Sequence, residues 1–171
     1  EDGDRTVALT LFRAFTFRQP PILDRYDVYP EMKLSQCPGE MKFKYNIHPH
    51  AGDWVEAEVV REAEHINLPL EVAQVGPHAG DLPKSMSFLS IEPANLSMSA
   101  FKKAERSDNL ILRLYNPTKD DISGKIVFHK DLKGVWTTNM NEEREEQLQP
   151  QGNTLELQVG AKKIITLELI V

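Results

Sequence analysis

The chain is poor in cysteine: of its 171 residues only Cys37 is one. No disulfide can form within it, so the fold must rest on an apolar core, and this usage fits a reducing compartment. Positive charge is also short, with 20 Lys and Arg against 26 Asp and Glu, a net charge of -6 and a pI near 5.4. That deficit argues against nucleic acid as a partner, because phosphate neutralisation needs a basic face. No apolar run approaches the ~20 residues of a membrane span. Aromatic residues make up 8%, and the two tryptophans, Trp54 and Trp136, lie far apart. No internal repeat or low-complexity tract appears, and no secretory signal is visible. The chain opens on Glu1 rather than Met, so a lost signal would leave no trace.

What is present is ordinary for a globular chain, with 40% apolar and 27% charged residues. A chain of 171 residues reads as a single domain able to bury about 70% of its unfolded surface. The densest signal runs from Ser85 to Thr118. Three apolar runs are separated by turns at Pro93-Ala94-Asn95 and Arg106-Ser107-Asp108-Asn109. Leu96, Met98 and Ala100 alternate with serines, and Leu110, Leu112 and Leu114 alternate with Ile111 and Arg113. A side-chain period of two marks strands with one face on a core, here expected to form an antiparallel meander.

The same alternation predicts strands at Thr6–Arg13, Met41–Ile47, Gly124–Lys130 and Val135–Met140. Two more follow, carrying Leu155, Leu157 and Val159 and then Ile165, Leu167, Leu169 and Val171. Gly160-Ala161-Lys162 between them reads as a hairpin turn, and 164–171 as an exposed edge. One short amphipathic helix is expected over 53–66, with Asp53 and Glu56 as a capping box and Val55, Val59, Ala63 and Ile66 as its apolar stripe. Residues 18–40 and 68–84 are proline-rich loops, and 141–152 is a charged connection. Many short strands with one helix predict a mainly β fold, an antiparallel β-sandwich.

Chemistry-bearing clusters are few. His48 and His50, with Asp53 and His78 nearby in sequence, form the one group that could ligate a metal; a hydrogen-bonded structural pair is the favoured reading. The carboxylates of 142–146 and of the helix read as solvated surface rather than as a hydrolytic pair. Cys37 lacks a neighbouring base and reads as a loop residue. Asn95-Leu96-Ser97 matches a glycosylation sequon by chance. Loop 18–40 is the best functional candidate, because loops above ~12–15 residues in compact domains are usually functional or disordered. Its Asp24, Arg25, Tyr26 and Gln36 supply the planar hydrogen-bonding groups and aromatic faces that hold sugars.

Leu96–Thr118, above all the run SAFKKAERSDNLILRLYNPT, resembles the C-terminal β domain of glycoside hydrolase family 38, the α-mannosidases, in its bacterial type. TVALTLFRAF at Thr6–Phe15 and YNIHPHAGDW at Tyr45–Trp54 resemble other parts of that region, in the same order. The resemblance implies a sandwich of the galactose-mutarotase-like supersandwich type. It also implies a retaining α-mannosidase parent whose nucleophile and zinc lie in an N-terminal catalytic domain. The 171 residues would then be an inactive piece of a longer, cytoplasmic polypeptide. They would bind no cofactor themselves, would dock on the catalytic and middle domains, and would lend Arg25, Gln36, Asp24 or Tyr26 to the rim of a glycan pocket. An independent carbohydrate-binding module and an oligomerisation domain are the alternatives.

Overall fold

A computed structural model describes residues 6–15 and 35–171. They fall into two compact units, Glu1–Ile47 and His48–Val171. The second unit holds every regular element described: α1 (Val59–Asn67), β1 (Leu89–Glu92), β2 (Ser97–Lys103), β3 (Leu110–Tyr115), β4 (Ile122–Phe128), β5 (Gly134–Thr138), β6 (Arg144–Leu148), β7 (Thr154–Val159) and β8 (Ile164–Ile170).

The strands form two antiparallel sheets, of three strands in the order β1-β4-β7 and of five in the order β2-β3-β8-β5-β6. The expected β-sandwich is thus present. Alternation along each strand sends one row inward. Ile122, Ile126, Phe128, Leu155 and Val159 come from the small sheet, and Leu112, Leu114, Val135, Leu167 and Leu169 from the large one. These side chains share one buried cluster with Leu96 and Leu132. Burying each contributes roughly 1.5–3 kcal/mol. The opposite row of the small sheet is polar, with Ser123 opposite Gln158 and Lys125 opposite Glu156.

Topology departs from the expected meander. Of its three runs only β2 and β3 form a hairpin, while the run ending at Glu92 pairs with β4 in the other sheet. Alternation fixes which face a strand buries, not which neighbour it takes. Gly160-Ala161-Lys162 likewise joins β7 to β8 across the two sheets rather than turning a hairpin. β8 is no edge; it is flanked on both sides, by β3 and β5. Its apolar residues on both faces, such as Leu167 and Ile170, suit that central position. Part of the charged connection 141–152 is itself a strand, β6, whose exposed Arg144, Glu145 and Glu146 suit an edge.

The expected helix starts later than its cap. The capping box is made: the Asp53 carboxylate accepts from the amides of Val55 (2.8 Å) and Glu56 (2.9 Å), and Glu56 accepts from the Asp53 amide (3.2 Å). Those two amides hold the Asp53 carboxyl below its usual pKa. Glu58 then adopts a left-handed φ of 49°, which breaks the turn before α1 begins. The predicted stripe is not a core face, since Ile66 is 49% exposed and no residue of α1 is fully buried. The Tyr115 hydroxyl, donating to Glu64 at 3.0 Å, instead ties α1 to β3. Burial raises the Tyr115 pKa.

In the first unit, neither Thr6–Arg13 nor Met41–Ile47 forms a strand. Phe12 stacks on Phe43 with centroids 6.2 Å apart, and the Phe15 amide donates to the Ser35 carbonyl at 3.1 Å.

Candidate functional site

The densest polar cluster lies on the outward row of the five-stranded sheet. Register places Trp136 and Ile111 on either side of Glu168, and Thr138 and Arg113 on either side of Thr166. Glu168 is only 6% exposed. Its carboxylate accepts from Arg144 Nε (2.5 Å), Asn109 Nδ2 (2.6 Å) and Ser107 Oγ (3.2 Å). The Arg144 guanidinium, which also lies 5.3 Å from the Trp136 ring, holds the carboxyl below its usual pKa against the opposing effect of burial.

Alongside, Lys102 bridges Glu105 and Glu142, the latter at 2.8 Å, and Arg113 Nε donates to Thr166 Oγ1 at 3.1 Å. Bonds from Lys102 and from the Glu105 amide lower the Glu142 pKa. Glu142 is therefore not solvated surface, as its sequence context suggests; its side chain is 8% exposed. A glycosidic acid must hold its proton near neutrality, and its partner must sit at a set separation across the scissile bond. Glu168 and Glu142 are instead locked as carboxylates by fixed cations. They brace the loops before β3 and β6 against the sheet.

The motif behind the family resemblance is also structural. Asn116, 2% exposed, donates from Nδ2 to the carbonyls of Asp120 (2.8 Å), Val159 (3.0 Å) and Gly160 (3.1 Å). Its Oδ1 accepts from the amide and the hydroxyl of Thr118 at 2.9 and 2.7 Å. Asn-Pro-Thr thus ties the end of β3 to the β7–β8 crossover. A buried amide that fills both of its ends explains the residue type.

Asp24, Arg25 and Tyr26 lie outside the described residues. Gln36 donates from Nε2 to the Phe15 carbonyl. The His48 and His50 rings stack at 5.8 Å. Among the described residues no three His, Cys, Asp or Glu side chains converge as a metal would require. Cys37 is half-buried, with Sγ 3.6 Å from the Arg13 carbonyl. In the sequon Ser97 is buried and Asn95 half-buried, consistent with a chance match. Neither tryptophan belongs to the core. Trp54 is 39% exposed and Trp136 half-buried, and a cation covers each, Lys162 at 5.2 Å and Arg144 at 5.3 Å. No described helix is long and apolar enough to cross a membrane.

Residues 95–167 match the glycosyl hydrolases family 38 C-terminal beta sandwich domain. That segment covers β2 to β7 and the start of β8, including the Asn116 tie, and it ends just before Glu168. Over that segment the chain is similar to the C-terminal β-sandwich domain of family 38. Over 137 residues it is 25% identical to a protein of Halalkalibacterium halodurans named "Putative mannosylglycerate hydrolase", a match covering 80% of this chain. The chain spans about 15% of that relative's length.

Proposed function

We propose that these residues are the C-terminal accessory sandwich of a zinc-dependent, retaining glycosidase that acts on α-mannosides. One observation carries the reading: the family match falls on the sandwich itself, from β2 into β8. The relative's name supports a mannosyl group as the sugar. The sandwich supports the catalytic part of the polypeptide, which supplies the zinc and both reacting carboxylates. Loop 18–40 adds Arg25, with Asp24, Tyr26 and Gln36, to the rim of the sugar pocket. An arginine there would orient substrate hydroxyls through its planar donor fork.

A free-standing carbohydrate-binding module fits less well, because Lys162 and Arg144 occupy the ring faces that a sugar would stack on. The test uses an aryl α-mannoside. The isolated chain should show no turnover, with or without added zinc, and turnover above background would end this reading. In the longer native polypeptide, Arg25→Ala should lower kcat/KM with thermal stability unchanged. An unchanged rate would remove Arg25 from the rim and leave a supporting role.

A further inference from the structure

Among its described residues the first unit carries two segments with strand periodicity, neither of which is a strand. Along 6–11, Val7, Leu9 and Leu11 are 99%, 62% and 47% exposed; along 42–47, Phe43, Tyr45 and Ile47 are 42%, 66% and 84% exposed. Between them stand Thr6, Ala8 and Thr10 in one segment and Lys42, Lys44 and Asn46 in the other. Neither segment enters a ladder, although backbone amides and carbonyls are obligatory hydrogen-bonding groups. Phe12, just beyond the first segment, is 55% exposed as well. An exposed apolar row of this length belongs against a sheet's core, not in water.

We infer that 6–11 and 42–47 are strands that add to the edge of a β-sheet formed elsewhere in the same native polypeptide. Main-chain hydrogen bonds would supply the affinity, and the alternate apolar side chains would enter that sheet's core. The occupant is argued from length. The relative matches 80% of this chain with only 15% of its own sequence, so most of a long polypeptide lies beyond the matched region. A partner from the same chain also acts at high effective concentration, so docking needs little affinity of its own. The inference rests on the proposed accessory role, but its test reads backbone protection, not catalysis.

The experiment is hydrogen exchange on the native polypeptide that carries these residues, followed by mass spectrometry. Peptides covering 7–11 and 43–47 should exchange at least about a hundredfold more slowly than the exposed loop 70–80. Replacing Leu9 by Pro removes an amide and blocks its partner, so protection of 7–11 should collapse while β4 stays protected. Exchange at the loop rate in the intact polypeptide would overturn the inference. So would protection that disappears on dilution, which would assign the surface to a second copy. A polypeptide that protects both segments but hydrolyses no mannoside would end the proposed function and leave this inference standing.

Discussion

The carboxamide nitrogen of Asn116 donates to the Val159 carbonyl at 3.0 Å, and that bond joins the end of β3 in the large sheet to the end of β7 in the small one. Two further carbonyls and the Thr118 amide depend on the same side chain. Replacing Asn116 by Ala leaves these groups without their partner at a site 2% exposed. Each stranded buried group costs about 1–3 kcal/mol, so even with half of them rehydrated the loss is on the order of 3 kcal/mol. Urea unfolding should show a lower midpoint at an unchanged slope. A midpoint within error of the parent would mean that the tie is dispensable.

The sandwich class was legible because alternation is a local property: Leu110, Leu112 and Leu114, or Leu155, Leu157 and Val159, can be read without knowing their neighbours. Strand order was not, because Ile91 pairs with Ile126 rather than with its sequence neighbour β2, a choice set by two whole sheets packing together. The Asp53 cap was also legible, since it acts across three residues. The left-handed Glu58 that ends its turn has no residue-type signal; glycine or asparagine would have marked it. Glu142 reads as solvated surface, and only the partner brought by β2, Lys102, separates it from surface charge.

Glu168 should make part of the stability depend on acid. Its folded pKa lies below the ordinary 4.5, chiefly because of Arg144. The carboxylate's contribution is therefore fully present above about pH 4.5 and disappears as pH falls through the lower folded value. Glu168→Gln should be less stable than the parent at pH 7, with the gap closing toward pH 3. Glu142 and Asp108 are lowered too, so the parent-minus-variant difference carries the signal, not the parent curve alone. A constant offset between pH 7 and pH 3 would refute the assignment.

Among the described residues β6 pairs only with β5, at the edge of the five-stranded sheet. Glu145 and Glu146 are both exposed there, and charged edge residues discourage strand addition by another copy. Changing both to Val should promote self-association, visible as a concentration-dependent shift in sedimentation. A double variant that sediments as the parent does would show that the bulge between Trp136 and Thr138, or the shape of the edge, is protection enough.

Gly124 in β4 faces the core, where a Cβ would stand 2.6 Å from Leu96 Cδ2. Leu96 is 3% exposed and is the residue through which the connection after β1 enters the core. Gly124→Ala should therefore overpack the site and cost roughly 1–3 kcal/mol. Leu96→Ala should cost about 2–5 kcal/mol through the cavity it opens. Combined, the new methyl enters the space that Leu96 vacates, so the double variant should lose less than the sum of the two, by about 1 kcal/mol or more. Strict additivity in a denaturation cycle would show that Leu96 moves aside when the methyl arrives, and that Gly124 is present for a reason other than this contact.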